Sequence, residues 1–445
     1  MSQLWQKKGL KFDKNVNTFI ISRNLAEDTA LVPYDVQASL AHAHMLGKVG
    51  LLKASEVKAL EKGLDEVLKL YERGKFALKQ EDEDCHTAIE NFLISRVGDV
   101  GKRIHMGRSR NDQVLVAMRL YQRAQLKEVI MLVLGCADMA LSFAKKYEFV
   151  PMPGYTHTQQ AMPSSVGQWA GALVESFLDD MRVLFASYEM NDQNPLGSAA
   201  GFGTTLPLDR AATSKELGFS RTQVNSLYCQ NSRGKIEAFL LSSLYQVMMT
   251  LGRLANDLVW FTSSEFRFFV VESRLTTGSS IMPQKRNLDI MEVLRANVSV
   301  MAGLKTQVEM AGHNLISGYN KDLKITKKAM MEGFSVLHAS LTAATMTLQG
   351  VRPDVKRLNE AMQADIFATD AANALVLKGA AFRDAYREIG ERVLSDHNGS
   401  TAAFVSEDPI KNIRRKKHLG ATGNLGLSLY AKELRKFQLR VGNLA

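Results

Sequence analysis

The chain has 445 residues, 46% of them hydrophobic and 23% charged, a length that predicts two or three domains around a large buried core. Asp138 interrupts the apolar stretch from Ile130, and Lys7 and Lys8 near the start are followed by no apolar run, so neither a membrane span nor a signal peptide is expected. The net charge of +10 raises nucleic acid as a partner, but the densest basic run, Arg414 to Lys417, has no interleaved aromatics and reads as a solvated helix end.

In chain order, residues 1–108 read as an N-terminal helical region, 109–355 as a bundle of long helices, and 356–445 as a smaller C-terminal helical region. The prolines are few and widely spaced, as long helices require. Three cysteines, Cys85, Cys136 and Cys229, are odd in number and scattered. They fit neither a disulfide framework nor a zinc site and suggest the cytoplasm.

The first polar interruption is Glu81 to Thr87. Its acidic run is an adequate helix cap, and Asp84 and His86 are equally candidates for a binding site. His86 and Glu90 share a helix face, yet no third ligand stands at metal spacing, so no metal is expected. Next comes Gly107 to Asp112, ahead of a helix expected to begin near Asp112. Arg108, Arg110 and Asn111 there suit a carboxylate or phosphate, or are simply surface residues beside a cap.

Gly154 to Gln159 comes next, read as a loop before a helix opening at Pro163. His157 lies among hydroxyls, including that of Thr156, and is a candidate for proton transfer. Three tracts then show helical periodicity: Val166 to Tyr188, Ile236 to Leu258 and Ile290 to Val308. No run of alternating strands competes, so the fold class is mainly α, and stripes this long predict oligomerisation through the bundle.

The last motif, Thr277 to Asn287, combines a Gly-Ser loop with Lys285 and Arg286 just before a long helix. Several helix N-termini facing one anionic ligand is the common theme. If the helices from Asp112 and Pro163 run antiparallel, their starts lie at opposite ends of the bundle. Assembling each site from different subunits is then the simpler solution.

Gly278 to Asn287 match G-S-S-x-M-P-x-K-x-N, and on that loop the sequence resembles the fumarase/aspartase superfamily. Asp84 to Thr87, Gly107 to Val114, Pro195 to Ala199, Tyr319 to Leu323 and Ala368 to Asp370 are similar, in order, to the argininosuccinate lyase family, from about Asp82 to Gly390. The resemblance implies a three-domain fold with a central bundle of long helices. It implies a homotetramer whose active sites are shared between subunits, no cofactor, and elimination of fumarate from argininosuccinate in arginine biosynthesis. By motif, Ser279 is implied as base, His157 as acid, Glu292 as the partner of His157, and Lys285 as the cation that stabilises the intermediate. Arg110, Asn111, Thr156, Tyr319 and Lys327 are implied as substrate-binding, with Asp84, His86, Arg233 and Asn287 further candidates.

The sequence departs from the pattern at Leu288, where Pro is usual, at Met106, where Thr is common, and at Lys324, often Gln and close to where the arginine-derived end should lie. Trp5 to Gly9 also lacks the usual segment that supplies a substrate-contacting Ser. The alternatives are a fumarate-releasing lyase with another amine leaving group, or a non-catalytic structural protein on the same scaffold, as with the lens δ-crystallins.

Overall fold

The computed structural model describes residues 25–79, 82–397 and 407–444; Trp5 to Gly9 and Glu81 lie outside them. Helices α1 (Leu25–Lys48), α2 (Ala54–Glu72) and α3 (Cys85–Val97) pack together and lead into the longest helix, α4 (Arg110–Lys146). A hairpin of β1 (Pro151–Thr156) and β2 (Gln159–Ser165) connects α4 to α5 (Val166–Asn191). After α6 (Arg210–Glu216), the bundle is completed by α7 (Lys235–Phe261), α8 (Asp289–Ala311) and α9 (Ile325–Gly350). Strand β3 (Phe269–Val271) pairs antiparallel with β4 (Val351–Pro353). Of the helices beyond, α10 (Ala368–Leu377) and α11 (Phe382–His397) pack on each other, α12 (Pro409–Arg415) packs on the hairpin, and α13 (Leu427–Gly442) returns to α4 and α5.

The periodic tracts are the buried faces. Every stripe residue from Val166 to Tyr188 and from Ile236 to Leu258 is buried, and in α8 Leu294, Met301, Leu304 and Val308 are buried while Ile290 and Val298 pack at the edge. Side-chain contacts fix the helix directions. Arg119, early in α4, reaches Asn191 at the end of α5 (3.2 Å), whereas Phe143, late in α4, meets Trp169, early in α5. The two helices are therefore antiparallel. Trp169 in turn donates to Asp257, late in α7 (2.9 Å), and Arg295, early in α8, donates to Asn256 (3.3 Å). One end of the bundle thus gathers the hairpin, β3, β4 and the start of α8. The other gathers the starts of α4, α7 and α9.

Two local expectations change. The segment around His157 is a β-hairpin rather than a loop running into a helix, and α5 opens at Val166 with Ser165 as its cap, not at Pro163. His157 (φ 52°) and Thr158 (φ 63°) form the two-residue turn, in the left-handed pair of conformations that matches the twist of a hairpin. Helical periodicity dominates the neighbouring sequence and hides so short a sheet. The basic run is also less free than expected: Arg414 lies over the Phe149 ring (4.3 Å), Arg415 pairs with Glu407 (2.6 Å) and Lys416 with Asp370 (3.3 Å).

His44 on α1 bridges Glu216 on α6 (2.6 Å) and Glu61 on α2 (2.7 Å) through its two ring nitrogens. Partial burial opposes the charge, but the two carboxylates outweigh it and raise His44 above its usual 6.5. A raised histidine contributes stability below its unfolded value and loses it as pH climbs through the folded one. The melting temperature should therefore decline as pH rises from 6.5 through the raised value, and His44→Gln should flatten that slope. Melting curves of both proteins across this range check it.

Candidate functional site

Motif residues from distant parts of the sequence meet at the start of α4. Ser109 caps the helix and Asp112 completes a capping box, its Oδ1 accepting the Ser109 N–H at 2.8 Å. The other oxygen of Asp112 accepts the N–H groups of Gly197 and Ala199, both at 3.0 Å, and so fastens the Pro195 to Ala199 segment beside the helix start. Burial pushes the Asp112 carboxyl up to about 6 despite these donors and the Arg108 charge.

Of the two guanidiniums expected near an anion, Arg108 turns inward. It is buried and donates to Ser39 at 2.9 Å, so it is not presented to a ligand. Arg110 is only partly buried and already meets carboxylates: it pairs with Glu83 and with Asp84 (3.3 Å), and donates to Thr87 at 3.1 Å. Asp84 unites both readings of the acidic run. It caps α3 by accepting the Thr87 N–H (2.9 Å), and it faces Arg110. Though burial opposes it, His86 and then Arg110 hold the Asp84 carboxyl below its usual range.

Arg233 donates to the Asn111 carbonyl and lies over the Tyr319 ring at 5.1 Å. Lys327 pairs with Asp28 on α1 (2.8 Å). Lys324 is half-buried beside these groups; burial and then the charges of Lys321 and Lys327 lower its pKa, with Asp28 and Glu83 opposing. Asp84, His86, Arg110, Asn111, Arg233, Tyr319 and Lys327 therefore share one end of the bundle. Glu83, Thr87 and Asp28 belong to this cluster too. The first two lie within a motif whose internal pairing the sequence does not specify, and Asp28 carries no sequence signal at all.

The remaining candidates lie at the opposite end. Thr156 and His157 are exposed at the hairpin tip. The loop bearing Ser279 is closed at its stem by a bridge between Thr277 and Asn287, with N–H to carbonyl distances of 3.0 and 2.9 Å, and Arg286 ties it to Ser273 at 2.7 Å. Within it, the Ser279 Oγ accepts the N–H groups of Ile281 (3.3 Å) and Met282 (3.2 Å). Two donors aimed at a hydroxyl oxygen favour its ionised form. Lys285 is exposed, and so is Glu292 in the first turn of α8. Leu288, where Pro was usual, is buried as the residue preceding α8, and its carbonyl accepts the N–H of Met291 at 3.0 Å.

The structure records no hydrogen bond or ion pair between His157 and Glu292 among the described residues of one chain. A groove of about 360 Å³ runs between the hairpin and the turn after α12, past Thr156, Lys416 and His418, but contains neither Ser279 nor Lys285. At 1.5 Å per residue the 23-residue α8 is ~35 Å long, which separates the Ser279 loop from Tyr319. Within one chain the candidate residues therefore form two groups at opposite ends of the bundle.

The fold is shared with known lyases. A solved EDDS lyase superposes with a TM-score of 0.82 at 23% identity, covering 98% of this chain and 93% of its own. A class II fumarase from Schistosoma mansoni superposes with a TM-score of 0.70 at 16% identity, covering 86% and 93%. These likenesses define the fold, a bundle of long helices.

The family described as lyase matches residues 13–303. Argininosuccinate lyase of Sorangium cellulosum is 41% identical over 97% of this chain and 98% of its own length. The enzyme of that name from Xanthomonas campestris is 42% identical over 96% and 97%. The chain belongs to the argininosuccinate lyase family.

Because Asp112 satisfies three backbone N–H groups, Asp112→Ala should lower unfolding free energy by about 2–3 kcal/mol, the combined effect of a lost cap and orphaned buried donors. Denaturant titration measures this, and a loss under half a kcal/mol, roughly that of an ordinary surface substitution, would deny Asp112 the role.

Proposed function

We propose that the chain splits argininosuccinate into arginine and fumarate, in the cytoplasm, without a cofactor, as a homotetramer whose sites are each completed by more than one chain. The observation that carries the catalytic assignment is the Ser279 hydroxyl held by two backbone N–H groups in a stem-closed, cationic loop.

In the proposed reaction Ser279, as alkoxide, removes a proton from the carbon next to a substrate carboxylate. The electron pair left behind spreads into that carboxylate, and the Lys285 ammonium stabilises the added charge. The carbon–nitrogen bond then breaks, and His157 gives its proton to the departing guanidino nitrogen. Glu292 orients His157, a pair completed between chains because each residue is exposed in its own. Two N–H donors, the helix start behind the loop and the cations at Lys285 and Arg286 all lower the cost of the alkoxide, and closing the loop over substrate would strengthen each. At the other end, Arg110, Asn111, Thr87, Tyr319 and Lys327 offer charge and hydrogen bonds to the amino-acid portion. Arg110 already pairs with Glu83 and Asp84, so a substrate carboxylate must compete with them or rearrange them.

Fumarate release from argininosuccinate, tracked by ultraviolet absorbance and matched to arginine formed, tests the substrate and reaction. Ser279→Ala should reduce kcat by roughly 10²- to 10⁴-fold, the usual contribution of a positioned base, with the fold intact by circular dichroism. Turnover near wild type would remove Ser279 from the role. Release only from adenylosuccinate or aspartate would keep the elimination and replace the substrate, and no release from any of them would favour the structural-protein reading.

Lys324 supports a second reading. A half-buried cation beside Lys321 and Lys327 suits a leaving amine that carries an extra carboxylate better than one carrying a guanidinium. Lys324→Gln should then lower KM for argininosuccinate by roughly 2- to 5-fold, the size of a partly screened charge contact. A KM unchanged or raised would show that Lys324 does not oppose the guanidinium.

A further inference from the structure

Behind Asp84, three ligand-type side chains meet out of water: Asp35 on α1, and Cys85 and His86 in the first turn of α3. Asp35 and Cys85 are fully buried and His86 is 4% exposed. Their donor atoms all lie within 4.8 Å of one another, and His86 Nδ1 is 3.0 Å from Asp35 Oδ2. That approach is an ion pair without hydrogen-bond alignment. Apart from this approach and a contact of the ring with the Cys85 thiol, the buried oxygens of Asp35 and nitrogens of His86 have no well-aligned hydrogen-bond partner. Native interiors rarely leave such atoms unmatched.

We propose that Asp35, Cys85 and His86 form a binding site for a thiophilic divalent cation of the zinc type. One carboxylate oxygen, one imidazole nitrogen and one thiolate are the mixed ligand set that zinc, cobalt and cadmium accept, with a fourth position left for water. Calcium and magnesium need more oxygen ligands than the cluster holds. Ligands about 2.0–2.3 Å from a tetrahedral ion sit roughly 3.3–3.8 Å apart, inside the present spread, so small side-chain rotations would close the site.

The charge balance also permits it. Burial opposes the imidazolium, but Asp35 and then Cys85 raise His86 well above its ordinary range; burial pushes the Cys85 thiol up to about 11. A divalent ion would displace one proton from each, two charges for two, so the buried Arg108 beside Asp35 meets no added net charge. The spacing of His86 and Glu90 hid the cluster, because one ligand comes from the residue next to His86 and another from α1.

The imidazolium of His86 helps hold Asp84 ionised against Arg110. Ligation would turn the His86 ring and move its positive charge onto the ion, which shifts the charge that Asp84 faces, so zinc should slow turnover; this consequence, unlike binding itself, rests on the function proposed above.

The test is equilibrium dialysis of the metal-stripped full chain against zinc, in a phosphine reductant, with metal counted per chain. Wild type should hold about one equivalent more than Cys85→Ser or Cys85→Ala, while Cys136→Ser and Cys229→Ser match wild type. Cobalt should give tetrahedral visible bands and a thiolate charge-transfer band that both vanish in Cys85→Ser. Below the His86 and Cys85 values, affinity should rise roughly 100-fold per pH unit, since two protons leave. Melting curves identify any variant that fails to fold, and the second Cys85 variant guards against that case. Metal content and cobalt spectra independent of Cys85 would overturn the site. Zinc inhibition that is equal in wild type and Cys85→Ser would overturn the link to turnover, and absence of any turnover would count against the function while leaving the dialysis result to stand.

Discussion

Helix α4 packs along α5 for much of a length of ~55 Å, and the two run antiparallel with a hairpin between them. The segment that enters α4 is therefore held a bundle's length from the hairpin that leaves it. Buried stripes in α5, α7, α8 and α9 make the separation rigid, since sliding one helix past another would expose a continuous apolar face. This separation sets where every polar motif lies. Arg110 and Asn111 stay with Arg233, Tyr319 and Lys327, while His157 stays with the Ser279 loop and Glu292. No rearrangement short of dismantling the core unites the two groups within one chain.

The two ends differ in how complete they are. The Arg110 end is electrostatically closed, with Arg110 matched by Glu83 and Asp84, and Lys327 by Asp28. The Ser279 end is open: its hydroxyl is poised by backbone donors, yet Lys285, His157 and Glu292 all face solvent. An end that presents these exposed candidate groups next to exposed Val293 and Trp260 is suited to meet another copy of the same chain.

The helices were legible in the sequence because their stripes repeat over many turns, and the stripes from Val166 to Tyr188 and from Ile236 to Leu258 are buried to the last residue. The hairpin was not, since the six residues from Pro151 to Thr156 carry no alternation strong enough to outweigh the helical tracts beside them. Candidate site residues stood out in the sequence as motifs, but their pairings did not. That Arg108 points inward while Arg110 points to Glu83 depends on α1 and α3 arriving at the start of α4, which no local pattern encodes. For the same reason Asp28 and Asp35 were invisible: each acts on a residue hundreds or tens of positions away.

The central claim is that each site is divided between chains, and mixing two inactive variants tests it most directly. Ser279→Ala damages one end and Arg110→Ala the other, so hybrids formed by co-expression should contain sites with both ends intact. In random tetramers roughly a quarter of the sites should recover, and fumarate release should return to a comparable fraction of wild type. Hybrids confirmed by native mass spectrometry that release no more fumarate than either parent would contradict the account.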